Sequence, residues 1–141
     1  MIKYIVLLFV STLIVACESS EELDTQKPEI NILTPTEHQE IELGQTIEFV
    51  AHVSDNVALA SYKLEIHRAD DGHQHRSESV PWHFEIVENL SGNTAEITHQ
   101  IPVADTVLEG HYHIGLFVID QSGNQNQQFV EVYVGEEDHQ H

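Results

Sequence analysis

The chain has 141 residues, with 24 Asp and Glu against five Lys and Arg, and eleven histidines, for a formal charge of −19 with neutral imidazoles. Phosphate contacts need a basic face, so this balance excludes nucleic acid as a partner and disfavours anionic lipid headgroups. A field of this sign instead concentrates cations at the surface.

Residues 1–16 read as an export signal, outside any argument about fold. Lys3 supplies the positive start, and Ile5 to Val15 form an apolar run of eleven residues. A bilayer-spanning helix needs roughly 20, so this run is too short to be one. Ile14-Val15-Ala16-Cys17 resembles a bacterial lipobox, which makes Cys17 the expected lipidation site and the membrane the expected partner at that end. Each buried CH₂ of such a lipid contributes roughly 0.8 kcal/mol. Cys17 is also the single cysteine, so a folded part beyond it holds no thiolate zinc site, cysteine nucleophile or disulfide. Residues 17–27 are polar, without periodicity, and read as a flexible acidic tether. The run Glu18-Ser19-Ser20-Glu21-Glu22 resembles the acidic stretch that directs some Bacteroidota lipoproteins to the cell surface, which implies an outer-membrane location in the cell envelope.

From Pro28 to position 135 the pattern has period two, the signature of half-buried strands. After Glu29 to Thr34, Ile47, Phe49, Ala51 and Val53 alternate with polar neighbours. So do Tyr62, Leu64 and Ile66; Trp82, Phe84 and Ile86; and Ile97, His99 and Ile101. Tyr112, Ile114, Leu116 and Val118 form the longest apolar face, and Val130, Val132 and Val134 close the series. Turn residues separate the runs, among them Asp55-Asn56, Asp71-Gly72 and Ser122-Gly123-Asn124. Seven strands with no helical pattern predict an all-β, immunoglobulin-like antiparallel sandwich. Gly110-x-Tyr112, with Asp120-x-x-Gly123-Asn124 after it, resembles the penultimate strand and hairpin of bacterial Ig-like domains. Asp120, Asn124 and Asp55 are read as turn formers in preference to a calcium site. Residues 136–141 form an acidic tail containing His139 and His141.

The histidines carry the functional argument. With consecutive strands running alternately up and down, ten of the eleven fall at one end of the sandwich, and His52 alone falls elsewhere. The third and sixth strands of an Ig-like fold are antiparallel neighbours. His67 and His113 then project from the same outer face, where cross-strand neighbours can share an ion. His73 and His75, in the loop after His67, are expected to complete the metal site. His111 is expected to turn toward the core or edge. With His99, His83, Asp70 and Asp71 it forms a lesser group of ligand or ligand-orienting candidates, the carboxylates accepting a second ring N–H. His99 itself is expected to be a hydrogen-bonded histidine at the core edge. His38 and the tail histidines rank lower.

Phe49-x-Ala51, Asp55-Asn56-x-x-Leu59-x-Ser61-Tyr62-x-Leu64-x-Ile66-His67, His73-x-His75, Ile101-Pro102, Gly110-x-Tyr112-His113 and Asp120 together resemble a family of Bacteroidota lipoproteins. The resemblance covers most of the chain after Cys17, and its most specific part is the Ile-His…His-x-His segment with the later Tyr-His. It implies an Ig-like lipoprotein with a histidine cluster and brings no activity with it. Members often carry an aromatic where this chain has Ala69-Asp70-Asp71.

Imidazole nitrogens without thiolates suit Zn or Cu(II). The expected function is a lipid-anchored Ig-like domain binding such an ion for capture, buffering or delivery. The alternative is an interaction module, with a protein partner in the cell envelope, whose metal is only structural. Catalysis is not expected. Glu65 lies on the face of His67 as a general base would, but the loops are short and no insertion forms a pocket.

Overall fold

The computed structural model describes residues 23–69 and 80–135. Cys17, Asp70, Asp71, His73, His75, His139 and His141 lie outside them. Eight strands are present: β1 (Glu29–Thr34), β2 (Gln39–Ile41), β3 (Thr46–Ser54), β4 (Leu59–Arg68), β5 (Phe84–Asn89), β6 (Thr94–Pro102), β7 (Gly110–Asp120) and β8 (Gln125–Val134). They form a three-stranded sheet, β1-β3-β6, facing a five-stranded sheet, β2-β8-β7-β4-β5. Among the described residues there is no helix.

The inner faces are the ones that alternation predicts. Phe49 and Ala51 of β3 and Ile101 of β6 are wholly buried, and opposite them lie Leu64, Ile66, Ile114, Leu116 and Val118. Every second residue faces the other sheet because strand side chains alternate, and water is expelled from between the two apolar faces. Tyr112, near the start of β7, donates its hydroxyl to the Leu108 carbonyl (2.6 Å) and accepts the Trp82 N–H (3.2 Å). A tyrosine bonding the backbone just upstream of this strand is a hallmark of Ig sandwiches.

Two expectations are corrected. There are eight strands, not seven, because Gln39–Ile41 pairs in parallel with β8. The strand expected to include Trp82 begins at Phe84. Trp82 is buried without belonging to it, its ring edge-on to Tyr112 at 5.8 Å.

Candidate metal centre

Histidines gather on the outer face of the five-stranded sheet because odd-numbered residues of β7 and β8, and of β4 from Ser61 onward, point there. His67 pairs directly with His113, and His113 with Glu131. His83 directly precedes β5, whose Phe84 pairs with Ile66. At the other side, the parallel β2–β8 register continued from Gln39↔Val132 sets His38 beside Glu131, and the His38 N–H donates to the Glu131 carbonyl at 2.7 Å. The result is a row on three adjacent strands, His67, His113 and Glu131, with His38 beside Glu131 from just before β2.

Glu131 organises the row. Its Oε1 lies 3.1 Å from Nδ1 of His111 and 3.7 Å from Nδ1 of His38, and its Oε2 lies 3.3 Å from Nε2 of His113. A carboxylate only accepts, so Nδ1 of His111, hydrogen-bonded to Glu131, carries the hydrogen and Nε2 is left as the site for a lone pair in the neutral ring. A carboxylate that fixes the tautomer and orientation of imidazoles is what oriented metal ligands use. The His67 and His113 rings stand edge-on at 5.5 Å, and Phe129 packs against both, at 6.4 and 6.2 Å. Glu65 Oε1 lies 3.7 Å from His67 Nδ1. His67 is exposed, while His111, His113 and Glu131 are half-buried.

His111 departs from the expectation that it turns toward the core or edge. It shares parity with His113, so it lies on the outer face, its ring 5.1 Å from that of Tyr133. His99 lies apart from the row, on β6 of the opposite sheet, facing inward as a core-edge histidine. Its Nε2 is 2.7 Å from the Tyr62 hydroxyl. That hydroxyl also donates to Glu88, so His99 supplies the hydrogen of its own bond. Burial and the hydrogen bond to Glu88 raise the Tyr62 pKa above the ordinary phenol value.

Among the described residues, the histidines of the row do not bring three ligand atoms within 4.8 Å of one another. The group that does is Asp24, Asp55 and Asp120, at the opposite end of the sandwich. Glu131 is the site residue the sequence reading missed. The signal was the β7–β8 hairpin itself: reflecting His113 about Ser122 reaches position 131.

The profile of the family described as "Domain of unknown function (DUF4625)" matches residues 15–134. No curated protein matches the chain. Among solved structures, OgpA from Akkermansia muciniphila, in complex with an O-glycopeptide substrate, is 12% identical with a TM-score of 0.52. The match covers 84% of this chain and 32% of that one. Spo0M, a sporulation control protein from Bacillus subtilis, is 11% identical with a TM-score of 0.51, covering 78% and 49%. The fibronectin(III)-like modules of Clostridium thermocellum CbhA are 20% identical with a TM-score of 0.47, covering 75% and 94%. The chain thus spans about a third of OgpA and half of Spo0M, and the likeness to these two shows a shared β-sandwich fold.

Proposed function

The chain belongs to the DUF4625 family, and from that premise we propose that it is a non-catalytic, lipid-anchored envelope module binding a divalent transition metal, Zn or Cu(II), on its histidine face. The observation that carries the reading is the row in which His67, His113 and Glu131 stand side by side on three adjacent strands. His67 and His113 are the ligands from the sheet, and His73 and His75 complete the set from the loop between β4 and β5. Glu131 holds the imidazoles from the sheet, with Asp70 and Asp71 as further candidates for that role. Supporting non-catalysis, the proposed nitrogen set fills a tetrahedral site and leaves no open position for a reacting water.

The test is calorimetric titration of Zn and Cu(II) into the soluble chain from Glu18. Binding tighter than about 10⁻⁶ M is expected, weakening on acidification because protons compete with the metal for imidazole nitrogens. It should be lost in His67→Ala/His113→Ala and weakened about 10- to 100-fold in Glu131→Gln. No binding tighter than about 10⁻⁴ M would sink the metal reading. Bound ion that chelators remove only on unfolding would instead favour a structural staple in an interaction module.

A further inference from the structure

At the end of the sandwich away from the histidines, three carboxylates from three separate parts of the chain meet. Asp24 precedes β1, Asp55 follows β3 in one sheet, and Asp120 ends β7 in the other. One oxygen of each lies within 4.8 Å of the other two. Asp55 is 8% exposed and Asp120 2%, so two of the three are more than nine-tenths buried.

Local hydrogen bonds account for only part of this cluster. Asp55 Oδ2 accepts the N–H groups of Val57 and Ala58, both at 2.8 Å, which explains its place in a turn. Asp24 Oδ1 accepts from the Gln26 N–H and the Asn56 amide, both at 3.0 Å. The second oxygen of each, Asp55 Oδ1 and Asp24 Oδ2, is shut from water and has no hydrogen-bond partner. Asp120 accepts from the Asn124 N–H (2.8 Å) and side-chain amide (2.7 Å). Burial works to raise its pKa, but these bonds and backbone donors at Ser122 and Gly123 outweigh it and hold the carboxyl below the usual range. No Lys, Arg or His ion pair forms at any of the three among the described residues. Buried anionic oxygens without a donor are costly, and turn formation explains neither orphan.

We propose that Asp24, Asp55 and Asp120 form a site for a hard divalent cation, calcium in the first instance, that ties the N-terminal segment to both sheets. The donor set is oxygen only, which suits calcium and not the borderline ions of the histidine face. Calcium–oxygen distances are about 2.3–2.6 Å, so two ligands across one ion stand about 4.6–5.2 Å apart, the scale of this cluster. The cation supplies what each orphan oxygen lacks and neutralises charge that no ion pair among the described residues offsets. At Asp55 the turn and the ion use different oxygens, Oδ2 for the backbone of the turn and the orphaned Oδ1 for the ion.

The experiment is thermal unfolding of the full chain in detergent, with CaCl₂ raised to about 10 mM at fixed ionic strength against an EDTA baseline. Extracellular modules bind calcium at about 10⁻⁴–10⁻³ M, so a saturable rise in Tm of several degrees is expected. Asp24→Asn should abolish the rise while leaving the EDTA-baseline Tm equal or higher. Glu109→Gln, which removes one exposed charge at the histidine end, should retain it. In wild-type protein, the amide NMR signals of Val57, Ala58 and Asn124 should shift saturably with calcium, and that of His113 should not. A flat Tm, an Asp24→Asn response equal to wild type, or shifts spread over the acidic surface would each overturn the site.

Discussion

Tyr62 illustrates how much can hang on one hydroxyl. It rises from β4, donates to Glu88 of β5 within its own sheet, and accepts from His99 of β6 in the other. Tyr62→Phe removes both links and leaves the His99 N–H without its partner, an expected loss of about 1–3 kcal/mol in denaturant unfolding. Because the phenol pKa is raised in the folded state, its contribution is complete below the ordinary tyrosine value near 10 and is lost as pH rises through the folded one. The last component of phenolate absorbance in an alkaline titration should therefore vanish in the variant. Asp120 has the opposite sign. Its folded pKa is lowered, so its contribution is complete above the unfolded value near 3.9 and fades as pH falls through the folded one. In EDTA, wild-type Tm should drop more steeply on acidification than that of Asp120→Asn. The Tyr62 behaviour rests on partners distant in sequence, whereas that of Asp120 rests on the turn just after it. The core-edge place of His99 was legible from its parity with Ile97 and Ile101, whereas the Tyr62 hydroxyl it meets was not.

The strands were legible wherever one face is buried, because burial writes a two-residue period into the sequence. β2 was not. In three residues with only Ile41 buried there is no alternation to read, and its partner β8 lies about ninety positions onward. Glu131 escaped because Val130, Val132 and Val134 define their strand by its inward face alone, and the polar residues between them look interchangeable. The three aspartates are scattered from Asp24 to Asp120 without any period, so only folding brings them together. Gly115 is a further case of meaning supplied by a neighbouring strand. It lies directly opposite Phe129, whose ring covers it, and a Cβ there would sit 2.5 Å from that ring. Gly115→Ala should displace the ring at a cost of about 1–3 kcal/mol. Since Phe129 packs on His67 and His113, the variant should also lower zinc affinity with every proposed ligand intact. Parallel denaturation and titration would measure both effects.

At the scale of the molecule, the two clusters divide by chemistry as well as by position. Imidazoles gather where β4 ends and β7 begins, and carboxylates where β3 and β7 end. If Cys17 carries lipid as proposed, Cys17→Ser should release the protein from the membrane fraction and end incorporation of labelled fatty acid, with metal binding unchanged. The segment before β1 is fastened by side-chain amides of Asn56, Asn124 and Asn126, which reach Asp24 and the carbonyls of Asp24 and Pro28. The described chain therefore arrives at the carboxylate end, and Gly135, after β8, leaves from the histidine end. Tension applied between these two points runs along the strands. It loads the β1–β3 and β7–β8 hydrogen bonds together in shear instead of peeling them apart one at a time. That geometry resists force better than one in which both connections leave from the same end.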